Sequence, residues 1–277
     1  MGVLNVTPDS FSDGGEYLAP DSAVAHAERL AQDGAHILDI GGESTRPGSD
    51  PVSLEEEVLR VVPVIQGIVG RGNTNVPISI DTYKSGVASA AIKAGAQIIN
   101  DVSGATLDPE ILKVAAETGA PIILGHIRGT PKDMQNKVNY QHCTKEVLAE
   151  LAQTVARAQK AGVDRHRIVI DPGVGFGKTY ENNLQLLLEA GRFRDELELP
   201  VLVGASRKSF IGHYTGASPR ERLPGSLVAA ALSVYHGADV VRAHDVSETV
   251  QALKLVHAFQ RVVQAHHKDN ENNRNNG

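Results

Sequence analysis

The sequence contains no tryptophan, a single cysteine and few aromatic residues, and each shortage excludes a class of function. With Cys143 alone, the chain has neither a disulfide framework nor a thiolate metal site, which fits a reducing compartment and predicts a cytoplasmic protein. An aromatic content of 4% leaves little surface on which single-stranded bases could stack. The net charge of −6 argues against nucleic acid or an anionic membrane as the main partner.

Long apolar segments are also missing. No run approaches the roughly 18 apolar residues that a membrane span requires. The start of the sequence lacks the basic and apolar regions of a signal peptide. The 41% of hydrophobic residues is nevertheless enough to build a core, so the sequence predicts a folded protein that has no membrane as partner.

Eight short apolar runs alternate with helical patterns along the chain. The runs are nearly continuous in hydrophobicity, which is typical of parallel strands buried on both faces. They occupy residues 2–6, 36–41, 77–81, 97–101, 121–126, 167–171, 200–204 and 239–244. Eight βα units in a chain of this length predict an α/β protein with one (β/α)8, or TIM, barrel domain over residues 1–267.

Two further features bear on the domain organisation. A doubly wound sheet is the alternative to the barrel, but that fold usually carries a phosphate-binding fingerprint after its first strand, and none is present. The segment 268–277 is polar and low in complexity, which predicts a disordered tail.

Nearly every predicted strand ends in a polar residue. These residues are Asn5, Asp39 with Glu43, Asp81, Asn100 with Asp101, His126, Asp171, Ser206 through Lys208, and His244. In a barrel the strand ends meet at the C-terminal face, where active sites are built. A single polar strand end fits helix capping as well as it fits a site, but eight that converge favour a site.

The converging residues fall into two chemical sets. Asp81, Asn100 and Asp171 offer acceptors that suit a planar ligand edge rich in N–H donors, such as a guanidine-like heterocycle. The basic set suits an anionic, phosphorylated group and comprises Arg46, Arg207, Lys208, Arg242 and His244. No pair of nucleophile and base is evident in the sequence.

The segment 171–179, DPGVGFGKT, is similar to a nucleotide P-loop but departs from its pattern. Pro172 stands where the first glycine of that motif is required. A glycine-rich βα loop that lets the backbone pass close to a ligand is the better interpretation.

Seven segments between residues 2 and 246 carry a family resemblance. In order they are GVLNVTPDSFSDGG, DIGGESTRPG, ISIDTYK, IINDVSG, DPGVGFGKT, SRKSFIG and RAHDV. Together they resemble the dihydropteroate synthases of folate biosynthesis. The resemblance implies a homodimeric (β/α)8 enzyme that uses Mg2+. Such enzymes join 4-aminobenzoate to 6-hydroxymethyl-7,8-dihydropterin diphosphate, giving 7,8-dihydropteroate and pyrophosphate.

The resemblance also implies a role for each matching residue. The pterin would be held by Asp81, Asn100, Asp171, Lys208 and Arg242. The pyrophosphate would be received by Asn5, Ser209, Arg242 and His244, and Asn5 would also contact Mg2+. The aminobenzoate pocket and its mobile loops would comprise Phe11, Asp13, Thr45, Arg46, Pro47, Phe176 and Ser209. The residues expected to act in catalysis are Asp171, Lys208, Arg242 and His244.

The chemistry of this reaction explains the lack of a nucleophile–base pair. An arylamine is a poor nucleophile, whereas a dihydropterin ring can delocalise positive charge on its exocyclic carbon. Loss of pyrophosphate in an SN1-like step is therefore expected. The protein then has to stabilise the leaving group, exclude water and orient the amine. The early loop would act as a lid in which Asp13 pairs with Arg46 and Gly14 and Gly15 form the hinge.

Two other functions fit parts of the pattern. A pterin-binding methyltransferase domain would share Asp81, Asn100 and Asp171, but it would not need TPDSFSDGG or SRKS. A catalytically silent scaffold would be expected to lose the charged site residues, which are present here. Gly125 departs from the synthase pattern, because the family commonly has a methionine there that packs on the pterin.

Overall fold

The computed structural model describes residues 1–7, 20–46 and 48–275 of the 277-residue chain. Within these residues the backbone forms eight strands, each paired in parallel with its neighbour. They are β1 (Gly2–Asn5), β2 (Leu38–Gly41), β3 (Ile78–Asp81), β4 (Ile98–Asp101), β5 (Ile122–Gly125), β6 (Ile168–Asp171), β7 (Leu202–Val203) and β8 (Val240–Val241).

The strands close into a barrel in chain order. Strands β1 to β6 form one sheet and β7 pairs with β8. Two parallel bridges join these parts, one between Ile170 and Val201 and the other between Gly2 and Ala243. The predicted (β/α)8 barrel is confirmed, because closure leaves no free sheet edge.

Helices surround the barrel and follow each strand. They are α1 (Pro20–Gln32), α2 (Leu54–Arg71), α3 (Ser85–Ala94), α4 (Ile111–Thr118), α5 (Cys143–Lys160), α6 (Tyr180–Leu188), α7 (Ala190–Leu197), α8 (Ser209–Thr215), α9 (Leu223–Tyr235) and α10 (Val246–Asn275). The connections after β6 and β7 each contain two helices.

Helix α2 shows how local sequence sets these elements. The Ser53 side chain accepts a hydrogen bond from the backbone N–H of Glu56. Three glutamates occupy the first turn, where the positive end of the helix dipole favours acidic side chains. Gly72 ends the helix in the left-handed conformation. Val61, Ile65 and Ile68 lie on one face and are buried, so this face attaches the helix to the barrel.

The predicted strands agree with the observed ones within one or two residues over β1 to β6. Strands β7 and β8 are shorter than their apolar runs and have two residues each. Helix α10 continues to Asn275, so the backbone is helical over most of 268–277, where the composition predicts a disordered tail. The division of the chain at residue 267 and the disorder of the tail stay predictions.

In the part of the chain that the structure describes, no helix is both long and apolar enough to cross a membrane. The cytoplasmic location stays a prediction.

Candidate active site

Parallel register brings four strand positions to one level of the barrel. Asn5 pairs with Gly41, Gly41 with Asp81, and Asp81 with Asn100. A Cβ atom at Gly41 would lie 3.5 Å from Asp81 Oδ2 and 3.8 Å from Asn5 Oδ1. The glycine therefore keeps the space between Asn5 and Asp81 free of a side chain.

Arg242, just after β8, crosses the barrel mouth to two carboxylates. Its Nε donates to Asp39 Oδ2 and its Nη2 to Asp81 Oδ2, both over 2.6 Å. Asn100 Nδ2 donates to the same Asp39 oxygen over 3.0 Å. Burial alone would lower the pKa of Arg242, but Asp39 and Asp81 raise it above its ordinary value. We call Asp39, Asp81, Asn100 and Arg242 the arginine cluster.

The arginine cluster retains acceptors that need donors. Asp39 Oδ1 and Asp81 Oδ1 are buried and have no hydrogen-bond partner among the described residues. Burial raises the pKa of Asp81, and Arg242 partly offsets this rise. Because a buried acceptor without a donor is costly, these oxygens are suited to the N–H groups of a ligand.

Lys208 follows β7 and lies directly before α8. Its Nζ donates to the backbone oxygen of Val174 and lies 4.3 Å from the centre of the Phe176 ring. Burial lowers the pKa of Lys208 to about 8, although Asp171 acts to raise it. Asp171 accepts from the backbone N–H of Gly173 over 2.8 Å, and burial raises the pKa of its carboxyl against the effect of Lys208.

The loop after β6 is shaped to admit the Lys208 side chain. Gly175 has a φ of +85°, and a Cβ atom there would lie 2.5 Å from Lys208 Cδ. Any side chain at 175 would displace the lysine. The close approach of this loop to a ligand stays a prediction; the group that approaches Gly175 in the structure is the Lys208 side chain.

Two members of the predicted basic set are not free cations. His244 Nδ1 lies 3.0 Å from Ser206 Oγ. Burial, together with Arg242 and Arg207, lowers the pKa of His244 to about 4, so the imidazole is neutral near pH 7. Arg207 Nε donates to Asp245 Oδ2 over 3.0 Å, and a second guanidinium nitrogen pairs with the other oxygen.

This arrangement corrects the expected electrostatics of the anion site. Its cationic charge comes from Arg46 and from Arg242, which is already paired with Asp39 and Asp81, while His244 contributes as a neutral hydrogen-bonding group. Arg46 is exposed and lies near enough to His244 to help lower the pKa of that imidazole.

The loop that carries Thr45 and Arg46 is anchored at both ends. Glu43 Oε2 accepts from the backbone N–H of Val52 over 2.9 Å and from Lys84 Nζ over 2.5 Å. Lys84 also donates to Glu57 over 2.5 Å. Glu43 therefore connects the start of the loop to Val52 at its end. The residues between these two anchor points are the part of the loop that can approach a ligand.

The structure places most of the predicted site residues on one face of the barrel. Ser209 is exposed at the start of α8, and Thr45 is half-buried in its loop. Phe11, Asp13 and Pro47 lie outside the described residues, so their assignment to the aminobenzoate pocket stays a prediction. The same holds for the pairing of Asp13 with Arg46.

Gly125 fits the local backbone closely. A Cβ atom there would lie 2.6 Å from the backbone oxygen of Val102 and 2.7 Å from its Cα. A methionine at this position, which the family resemblance implies, would require the segment after β4 to shift and does not fit the present backbone.

Asp39 is a site residue to which neither the sequence pattern nor the family resemblance gave a role. It is fully buried between Leu38 and Ile40 and binds both Arg242 and Asn100. Strand alternation offered a signal, because Asp39 and Gly41 are two residues apart and share a face.

Comparison with known proteins identifies the family. A family model described as pterin binding enzyme matches residues 1–244. The chain belongs to the pterin-binding enzyme family.

Similar sequences and structures cover nearly the whole chain. It is 47% identical over 262 residues to a dihydropteroate synthase from Synechocystis, covering 94% of this chain and 90% of the relative. The corresponding protein from Bacillus subtilis is 46% identical over 267 residues, with 96% and 90% covered.

Solved structures give the same result. Xanthomonas albilineans dihydropteroate synthase with 4-aminobenzoic acid has a TM-score of 0.87 and 46% identity, covering 94% of this chain and 92% of the other. Yersinia pestis dihydropteroate synthase in a sulfonamide complex has a TM-score of 0.88 and 42% identity, covering 94% and 93%. The predicted function in folate biosynthesis, as a transferase of the dihydropteroate synthase type, is confirmed.

Proposed function

We propose that the site joins 4-aminobenzoate to 6-hydroxymethyl-7,8-dihydropterin diphosphate and releases pyrophosphate. The observation that carries this proposal is the arrangement of two carboxyl groups, Asp81 and Asp171, with the cationic Lys208 and Arg242 at one barrel mouth. Arg242 Nη2 donates to Asp81 Oδ2 over 2.6 Å, while Asp171 and Lys208 both contact the loop after β6, at Gly173 and Val174. Structures of relatives are described with 4-aminobenzoic acid and with 7,8-dihydropteroate, and the proposed chemistry agrees with both.

The pterin ring has a donor edge that suits the carboxyl groups of the site and an acceptor edge that suits Lys208. Its 2-amino and N3–H edge donates two parallel hydrogen bonds, which carboxylates accept well. Asp81 Oδ1 and Asp171 supply such acceptors. The ring carbonyl and a ring nitrogen are acceptors, and Lys208 is the donor for them. Asn100 contributes its amide, and Arg242 flanks the ring.

The leaving diphosphate is the group that develops negative charge. Arg242 and Arg46 would stabilise it by their charge, and His244 and Ser209 would offer neutral hydrogen bonds. Because the dihydropterin delocalises the resulting cation, the displacement is SN1-like and the amine attacks afterwards. Phe176, with Phe11 and Pro47, would provide apolar walls for 4-aminobenzoate. A sulfonamide is expected to occupy the same pocket.

Mg2+ is the cofactor that fits this chemistry. The described residues contain no group of three or more His, Cys, Asp or Glu side chains that could hold a metal ion. This agrees with Mg2+ held largely by substrate phosphates, as is common for this ion. The Asn5 amide oxygen faces the space kept open by Gly41 and is a suitable hard ligand. Bound there, Mg2+ would neutralise charge on the leaving diphosphate.

Replacing Asn5 with alanine should raise the Mg2+ concentration that gives half-maximal turnover. Loss of one oxygen ligand should cost about tenfold in apparent Mg2+ affinity, with a smaller effect on turnover at saturating Mg2+. A Mg2+ titration of the initial rate measures this. Asn73→Ala, on the exposed loop after α2, is the control. An unchanged titration midpoint for Asn5→Ala would exclude Asn5 as a ligand.

Turnover should fall as the pH rises through about 8. Above its pKa, Lys208 loses the charge and one donor that it offers to the pterin, so kcat/KM for the pterin diphosphate should decline about tenfold per pH unit. The pH profile of kcat/KM tests this. Lys208→Met has no group to titrate there, and its residual activity should lack that decline. A decline that persists in this variant would assign it to another group.

A homodimer is the proposed assembly. Helix α9 exposes Val228, Leu232 and Tyr235, whose spacing puts them on one face. The neighbouring α10 exposes Leu255 and Phe259 in the same way, and the two helices pack together. A contiguous apolar surface of this kind is suited to a twofold interface.

A charged residue in this surface should separate the subunits. Val228→Glu combined with Phe259→Glu buries two carboxylates in the proposed interface, so the protein should elute with the mass of one chain in size exclusion with light scattering. Leu59→Glu is the control, because Leu59 is an exposed leucine of α2 with 74% of its surface accessible. A wild-type monomer, or a double variant that stays dimeric, would contradict this interface.

Pyrophosphate release tests the proposed reaction. Purified protein with Mg2+ should release pyrophosphate when both substrates are present and form 7,8-dihydropteroate in equal amount. Folded protein that releases none above background would overturn the proposal.

A further inference from the structure

A buried lysine lies behind the glycine-rich loop and has no role in the reaction described so far. Lys178 directly follows residues 172–177, which we call the glycine loop, and is only 3% exposed. It is the lysine of the P-loop-like motif. We infer that Lys178 is a positioning residue that holds the glycine loop in the conformation that places Lys208. This inference rests on the proposed role of Lys208 in pterin binding.

The Lys178 ammonium group joins the glycine loop to the neighbouring strand. Its Nζ donates to the backbone oxygen of Phe176 over 2.8 Å and to that of Gly173 over 3.4 Å. It also lies 3.0 Å from Nδ1 of His126, the residue that follows β5. Burial lowers the pKa of Lys178 to about 7, and in its protonated form the group has three protons for these three contacts. Two of the acceptors lie at the ends of the tight turn Gly173–Phe176.

The His126 ring is neutral, and its Nδ1 atom is free of a proton and can accept the hydrogen bond from Lys178. Burial and the charge of Lys178 lower the pKa of His126 to about 4, so its ring is neutral. Nε2 lies 2.9 Å from Glu150 Oε2 and therefore carries the proton, which leaves a lone pair on Nδ1. Glu150, on α5, is in turn held by Arg128, whose Nε donates to it over 3.1 Å. The lysine is thus anchored through His126 to α5.

The glycine loop holds Lys208 on its other side. Val174 provides the backbone oxygen that accepts from Lys208 Nζ, and Phe176 provides the ring beneath it. Gly173 packs so closely that a Cβ atom there would lie 1.9 Å from the backbone oxygen of His126. The hydrogen bonds of Lys178 therefore restrict the conformation of the glycine loop. Without them, the Val174 backbone oxygen and the Phe176 ring, which orient Lys208, would be able to move.

A direct contact between Lys178 and substrate phosphate is disfavoured by the same geometry. The side chain is enclosed and its donors are directed to protein acceptors, whereas a P-loop lysine has to reach the phosphates of its nucleotide. The effect of Lys178 on the reaction should accordingly pass through Lys208.

A double-mutant cycle on pterin affinity tests this coupling. The Kd of the pterin diphosphate, with Mg2+ and without 4-aminobenzoate, is measured by calorimetry for wild type, Lys178→Met, Lys208→Met and the double variant. Lys178→Met should raise Kd by about tenfold or more, as expected for loss of a supporting contact. In the Lys208→Met background the same change should raise Kd less than about twofold. Lys160→Met, an exposed lysine at the end of α5, is the control and should match wild type.

The possible outcomes separate the inference from the proposed function. Wild-type protein that neither binds the pterin diphosphate nor releases pyrophosphate would overturn the function. Wild-type binding with equal effects of Lys178→Met in both backgrounds, or with no effect, would overturn the positioning role. If Lys178→Met does not fold by circular dichroism, His126→Leu is the second variant, which removes the Nδ1 acceptor of Lys178 together with the Nε2 contact to Glu150. It should then show a smaller rise in Kd with the same dependence on Lys208, and additive effects would refute the inference.

Discussion

Replacing Lys208 with methionine should lower kcat/KM for the pterin diphosphate by about 10²- to 10³-fold. Methionine keeps the length and the apolar stem but removes the donor that we propose for the pterin carbonyl and ring nitrogen. Loss of one preorganised electrostatic contact in an active site has an effect of this order. Steady-state pyrophosphate release measures it, and circular dichroism should show an unchanged fold.

Two further variants make the Lys208 result specific. Lys113→Met removes a lysine that is exposed on α4 and should leave kcat/KM unchanged. Lys208→Arg keeps the charge but has a longer, planar head group that has to fit above Gly175, so partial activity is expected. A Lys208→Met enzyme with wild-type kcat/KM would remove Lys208 from the pterin site.

Replacing Arg242 with methionine should destabilise the protein as well as inactivate it. The arginine is the partner of two buried carboxylates, Asp39 and Asp81, each 2.6 Å away. Removing one side of a buried ion pair typically costs about 3–5 kcal/mol, because the remaining charge is left uncompensated. Urea unfolding at pH 8 measures this loss in the free energy of unfolding. Arg194→Met, at an exposed surface pair with Asp195, should change it by less than about 1 kcal/mol.

The pH dependence of the Arg242→Met effect can be given a sign. Burial raises the pKa of Asp81 in the folded protein, so the folded state takes up a proton there more readily than the unfolded state does. Lowering the pH from 8 towards the raised pKa neutralises this carboxyl, and the penalty for losing Arg242 should shrink. A penalty that is the same at pH 8 and pH 6 would show that Asp81 does not respond in this way.

The barrel was predictable because its strands are short, apolar and evenly spaced. Runs such as 77–81 and 97–101 are bounded by helical patterns, and their polar last residues mark the C-terminal face. The same pattern predicted that the polar strand ends lie together, and the parallel register does bring Asn5, Asp81 and Asn100 to one level of the barrel. The resemblance to a known family then supplied the substrates, which periodicity alone does not specify.

Other parts of the site depend on contacts that no sequence pattern encodes. Arg207 is a basic residue beside Lys208, yet it is paired with Asp245, which lies 38 residues away. His244 loses its charge because burial, together with the charges of Arg242 and Arg207, lowers the pKa of its imidazole to about 4. The burial of Lys178 depends on the path of the glycine loop across His126. These properties arise from packing between distant segments, so they became visible only in three dimensions.

A crystal structure with a non-hydrolysable pterin diphosphate analogue tests the central assignment most directly. We expect the ring to lie at the C-terminal face with its 2-amino and N3–H edge directed at the carboxylates of Asp81 and Asp171. We also expect Lys208 Nζ to contact the carbonyl side of the ring and the diphosphate to lie by Arg242 and Asn5. A pterin bound elsewhere on the protein, or one with its amino edge turned towards Lys208, would contradict it.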